Sequence, residues 1–132
     1  MSTKTIDREP SDLLQRVVKA FEDLEKHIQS IELEMSDLET QGMINASYWW
    51  KKHEYLYLVH PTDDTGYRKR EYIGNDAEKV KAAKDAVERY EAWCKLSVKL
   101  EVLKGKRLHA MASVSNILYL LKSSQLNMWR NS

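Results

Sequence analysis

Apolar residues recur at alternating steps of three and four through the first third of the chain. Leu14, Val17, Phe21, Leu24, Ile28, Ile31, Met35 and Leu38 form one heptad row, flanked mostly by charged or polar residues. The row predicts a coiled-coil helix over 11–47, which must lay its seam against a second helix, in the same chain or in another copy. The period then changes to two. Tyr55, Tyr57 and Val59 alternate with Leu56 and Leu58, the run from His60 to Gly66 supplies turn formers, and alternation resumes from Tyr67 to Ile73. That pattern predicts a two-stranded β-hairpin within 48–75. On its return strand Arg68, Arg70 and Tyr72 fall on one face, and Tyr67, Lys69, Glu71 and Ile73 on the other. A lone hairpin is marginal in water, so Tyr48, Trp49 and Trp50 are the expected adhesive that fixes it to a helix or to a copy of itself.

Gly74-Asn75-Asp76 ends the second strand, and Asn75 with Glu78 three residues later reads as a capping box that opens a helix over 76–104. Its stripe Val80, Ala83, Val87, Tyr90 slips at Trp93 and resumes at Leu96, Leu100 and Leu103, a three-residue stammer in a coiled coil. Gly105 offers a stop or a bend. Ala110, Val114, Ile117, Leu121 and Met128, with Leu118 and Leu120 beside them, predict a third helix over 106–128 that is apolar on more than one side. At the other end, residues 1–10 are polar and close on Pro10, so they read as a flexible arm, with Ser11 as N-cap and Asp12 favourably placed in the first turn. The expected fold is therefore mainly α: a long antiparallel helical coiled-coil hairpin, an inserted two-stranded β-hairpin at one end, and a third C-terminal helix, all in one elongated domain. The heptad row and the two later stripes exceed what one helical pair can hide, so a homo-oligomer, dimer or higher, is expected.

Composition narrows the function classes. The chain has 132 residues, 21 basic and 20 acidic side chains for a net charge of +1, and only four glycines and two prolines. Any electrostatic function must be local, since the chain as a whole is neither a polycation nor an acidic mimic of nucleic acid. A single cysteine, Cys94, fits a reducing compartment, and MSTKTIDREP has no hydrophobic signal region. A cytoplasmic protein without membrane contact is the expectation. His27, His53, His60 and His109 show no metal-ligand spacing, and no residue pair supplies a nucleophile with an adjacent base. Neither an enzyme, a metal site nor a cofactor is expected.

The densest chemistry lies in the hairpin, where Lys51, Lys52, Arg68, Lys69 and Arg70 interleave with Trp49, Trp50, Tyr55, Tyr57, Tyr67 and Tyr72. Tyrosine, tryptophan and arginine dominate the energetic centres of protein interfaces, whereas cations beside rings also suit phosphates and stacked bases. Rings that merely anchor the sheet, with solvated cations around them, are the structural alternative. The stretch Tyr55-Leu56-Tyr57-Leu58, then Gly66-Tyr67-Arg68-Lys69-Arg70-Glu71-Tyr72-Ile73-Gly74, resembles a hairpin that recurs in proteins of phages, plasmids and transposable elements, including parts of some transposase and recombinase chains. The resemblance covers about 20 residues and implies a mobile-element context, with Arg68, Lys69 and Arg70 near a phosphate backbone. Three functions stay open: a non-enzymatic accessory or anti-defence protein that docks on a larger macromolecule, a protein partner first, through this hairpin; a nucleic-acid binder; and an oligomer that holds a small anionic nucleotide.

Overall fold

A computed structural model describes residues 9–131, with side chains described for 9–123. The expected arm therefore falls outside the described residues as far as Arg8, and so does the side chain of Met128. The element order is α1 (Pro10–Gln41), β1 (Ser47–Lys51), β2 (Tyr55–Thr62), β3 (Arg68–Gly74) and α2 (Ala77–Asn131). Two expectations of the fold class are corrected. The β element is a three-stranded antiparallel sheet of order β1-β2-β3, not a two-stranded hairpin, and among the described residues there is no third helix.

The extra strand follows from how α1 ends. Proline is tolerated at the first helical position because its missing N–H needs no partner there, so α1 begins at Pro10 and Ser11 lies inside the first turn rather than capping it. The Glu9 carbonyl accepts the Leu13 N–H at 3.1 Å. At the other end Gly42 adopts a positive φ of 97°, and its N–H reaches back to the carbonyls of Leu38 and Glu39, both at 3.2 Å. Only glycine takes this left-handed conformation at no steric cost, so the helix stops here instead of running on to 47. Released from the helix, Tyr48, Trp49 and Trp50 take the pleated conformation that ring side chains favour, and pair with Leu58, Tyr57 and Leu56 of β2.

The third helix is absent because α2 runs unbroken through Gly105. This glycine is helical, its φ is not positive, and a Cβ there would meet nothing within 4 Å. One helical glycine costs about 1 kcal/mol, too little to break a helix flanked by Leu103, Lys104, Lys106 and Arg107, all strong helix formers. The start of α2 lies one residue beyond the expected cap: Asp76, not Asn75, flanks its first turn, and the Asp76 carbonyl accepts the Val80 N–H at 2.9 Å.

The chain divides into two compact units, one formed by residues up to 30 together with 99 onward, the other by Ile31–Val98. In the Ile31–Val98 unit the sheet lays one face on α2. Leu56 and Leu58, both with no exposed surface, pack on Ala83 and Val87, with Ile44, Ala46, Ile73 and Val80 around them. Burying such a leucine is worth about 2 kcal/mol, so this small cluster fixes which sheet face is hidden. Ile31 and Met35 are also buried. Here α1 and α2 run antiparallel: the Trp93 indole N–H donates to Glu39 Oε1 at 3.0 Å, and Arg89 Nε donates to the Gly42 carbonyl at 2.7 Å. The off-phase Trp93 thus serves as a hydrogen-bonded contact beside the stripe. In the other unit the two helices again lie side by side, with Arg107 Nη1 donating to Glu25 Oε1 at 2.7 Å. There Ile28 is buried and Val17, Phe21 and Leu24 are half-buried, but Leu14 is 57% exposed. Among the described residues no helix is long and apolar enough to cross a membrane.

Candidate docking surface on the sheet

Strand alternation sorts the rings of the sheet into two sets with different tasks. Tyr48 and Trp50 share parity with the buried side of the sheet: the Tyr48 hydroxyl donates to the Lys84 carbonyl at 3.4 Å, and Lys84 Nζ stands 5.2 Å from the Trp50 ring centroid. Burial, reinforced by the carboxylates of Glu88, Glu91 and Asp85, holds the Tyr48 phenol above its ordinary pKa. These two rings anchor β1 to α2. Trp49 points the opposite way and meets Tyr57 across the β1–β2 pair, with centroids 5.1 Å apart. Tyr57 in turn meets Tyr72 of β3 at 5.0 Å. One row of tilted rings therefore crosses all three strands on the outward face.

Arg70 completes the row. Its guanidinium carbon lies 5.3 Å from the Trp49 centroid, a cation–π distance, although the two residues stand on strands that do not pair with each other. Pairing of Val59 with Arg70 puts Arg70 on the same face as Tyr72. Arg68 Nε donates to the Thr62 hydroxyl at 3.3 Å, while the side chains of Lys51, Lys52 and Lys69 make no hydrogen bond or ion pair among the described residues. Two nearby acids are committed elsewhere. Glu71 lies 3.0 Å from His60 Nε2, and Asp63 closes the β2–β3 loop by accepting the Thr65 N–H at 2.9 Å, the Thr65 hydroxyl at 2.6 Å and the Tyr67 N–H at 2.9 Å. Those bonds, the Thr65 hydroxyl first, hold the Asp63 carboxyl below the usual carboxylate range.

The expected binding residues thus separate by position. Trp49, Tyr57, Tyr72 and Arg70 come together as one patch, with Lys51 and half-buried Tyr55 paired at its edge. Trp50 is drawn to α2, Tyr67 stands apart and exposed in the loop, and Lys52 occupies the β1–β2 turn. Lys52 and His53 both have positive φ, 54° and 60°, a strained choice for two residues that are not glycine. Two further residues contribute that were not among the expected binding residues. Lys84 supplies the seat for Tyr48 and Trp50, and Gly74, at φ 98°, leaves room for the Tyr72 ring, whose hydroxyl would lie 3.3 Å from a Cβ placed there. The Ile-Gly pair that ends β3 is the local signal for the second; nothing in the helical pattern marks Lys84.

Among the described residues no group of three His, Cys, Asp or Glu side chains is placed to hold a metal ion. Cys94 is half-buried on α2, and its thiol, one helical turn from Tyr90, holds that phenol above its ordinary pKa. Comparison with protein families, curated proteins and solved structures finds no match to this chain.

Proposed function

We propose that this chain is a non-enzymatic docking protein that grips a protein partner with the outward face of its sheet. The observation that carries this reading is the ring row Trp49–Tyr57–Tyr72 capped by Arg70. Tryptophan, tyrosine and arginine clustered at the centre of a patch are the residues that carry most binding energy in protein interfaces. The rings brace one another, so little side-chain freedom remains to be lost on association. They are also partly covered: each ring packs on its neighbour and the Trp49 ring lies beside the guanidinium, which leaves less open ring face for base stacking than a bare platform would offer. Lys51 at the edge of the patch and Lys52 in the adjoining turn, whose side chains have no ion partner among the described residues, favour a partner with an acidic border. The likeness of the β2–β3 hairpin to those of mobile-element proteins supports an accessory or anti-defence role within this reading.

The test is affinity capture from the native host, with Trp49→Ala/Arg70→Ala as the comparison. Wild type should retain a protein that the double variant loses, with the far-ultraviolet spectrum of the variant unchanged. Equal retention by both, or none by either, counts against the reading.

The uncommitted cations favour one second reading, a nucleic-acid contact. If it holds, oligonucleotide affinity falls steeply with salt, and Arg68→Ala with Arg70→Ala flattens that slope by about one unit for each phosphate the variant no longer neutralises. Absent or salt-independent binding removes it.

A further inference from the structure

Of the two edge strands of the sheet, β1 and β3, only β3 is guarded. It carries Arg68, Lys69, Arg70 and Glu71 in succession and pairs with β2 through two register shifts, the charges and irregularities that keep a sheet edge from accepting another strand. β1 has neither device. All of Ser47–Lys51 is exposed, its pairing with β2 runs without a shift, and its one charge is Lys51 at the end. Among the described residues no backbone group of β1 bonds to anything besides β2 and the adjoining turn, so its outer row of N–H and C=O groups stands open.

We infer that β1 pairs with β1 of a second copy, antiparallel and centred on Trp49, joining the two three-stranded sheets into one. Two observations select a second copy over a foreign strand. The first is register. With Trp49 opposite its own counterpart, Tyr48 stands opposite Trp50 and Ser47 opposite Lys51, so rings meet rings and the two lysines lie at opposite ends. Parity agrees: Tyr48 and Trp50 face α2 in both copies, and the outward row Tyr72–Tyr57–Trp49 continues into its counterpart across the axis. The second is the order of charge beneath β1. From 81 to 91 the flank of α2 under Tyr48 and Trp50 reads Lys81, Lys84, Asp85, Glu88 and Glu91, while Arg89, the remaining charge of that stretch, is turned to the Gly42 carbonyl. Lys84 meets both Tyr48 and Trp50, the neighbours of Trp49, which sets the level of the axis on the helix. Because a two-fold axis reverses α2, the lysine end of each flank comes to the acid end of the other. A foreign strand could use the open edge but not this order of charges.

The experiment is sedimentation equilibrium of the full chain through the micromolar range, for wild type, Ser47→Glu and Ser47→Lys. Wild type should reach the mass of two chains. Each Ser47 faces Lys51 of the other copy and the axis doubles the pair, so Ser47→Glu should dimerise about two- to thirtyfold more tightly than wild type and Ser47→Lys more weakly by a similar factor. Added salt should shrink the difference between the variants. A one-chain mass for wild type throughout the range overturns the inference. So does equal or reversed strength in the two variants, the result expected of a dimer formed through the helices. A second measurement reads the register in a Cys94→Ser background: a short bis-maleimide should join Ser47→Cys chains to Lys51→Cys chains when the two are mixed. Ser47→Cys chains alone should stay single, since the two copies of that position lie about 13 Å apart along the paired strands. The reverse result overturns the proposal. Trp49, Tyr57, Tyr72 and Arg70 are unchanged in every variant, so pairing at the edge and capture of a protein partner on the face fail independently.

Discussion

Individual residues at the turns and breaks of this chain carry predictions whose signs differ for the same residue type. Gly105 is helical and exposed, with open space around its Cα, so Gly105→Ala should stabilise the chain by about 1 kcal/mol, read as a rise in thermal midpoint. Gly74 holds a positive φ under the Tyr72 ring, so Gly74→Ala should destabilise by at least about 1 kcal/mol in denaturant titration. A loss of stability in the first variant would place a break at 105 that a continuous α2 does not contain. Asp63 predicts a pH effect. Its carboxyl pKa is depressed in the fold, so its contribution is complete above the ordinary carboxylate range and is lost as pH falls through the lowered value. Protection of the Thr65 and Tyr67 amides, whose N–H groups Asp63 accepts, should fall over that acid window in wild type, measured against each amide's intrinsic exchange rate at the same pH. In Asp63→Ala that protection should be missing at every pH. The turn chemistry of the 60–66 run was legible in the sequence. The depth of its bonding to one carboxylate was not, because it needs the backbone of four residues folded round a single oxygen.

Among the elements, β2 and β3 were readable from their alternation, and β1 was not. Its five residues follow a stretch expected to be helical as far as 47, and the rings at 48–50 read only as adhesive for the hairpin until Gly42 is known to be left-handed. The β1–β2 turn still carries the cost of that choice. Lys52 and His53 both have positive φ, which asparagine and glycine adopt more readily, so Lys52→Asn/His53→Gly should stabilise the hairpin by about 1 kcal/mol. Equilibrium unfolding followed by tryptophan fluorescence checks it; a loss of stability would mean that Lys52 or His53 makes a contact that outweighs the backbone strain. The continuity of α2 is the opposite case. Gly105 and the slip at Trp93 both read locally as interruptions, yet packing on either side of each outweighs a penalty of about 1 kcal/mol.

For the molecule as a whole, burial is uneven between the two units, and stability should be uneven with it. The Ile31–Val98 unit holds Leu56, Leu58, Val87, Ile31 and Met35 out of water, whereas the other unit fully buries Ile28 alone among its described large side chains. Native-state hydrogen exchange should therefore give greater protection to α2 amides between 80 and 95 than to those between 108 and 120 in dilute, monomeric protein. Uniform protection along α2 would refute this gradient. By itself, the sequence determined that long helices precede and follow the strands, the alternation of β2 and β3 and the place where rings and cations concentrate, because each rests on a pattern within a short stretch. Tertiary structure alone decided that Tyr48 and Trp50 turn inward while Trp49 turns outward, that Arg70 reaches Trp49 from a strand that does not pair with its own, and that the third stripe belongs to α2. These depend on strand order and on packing between residues far apart in the chain, energies that no local window of sequence contains.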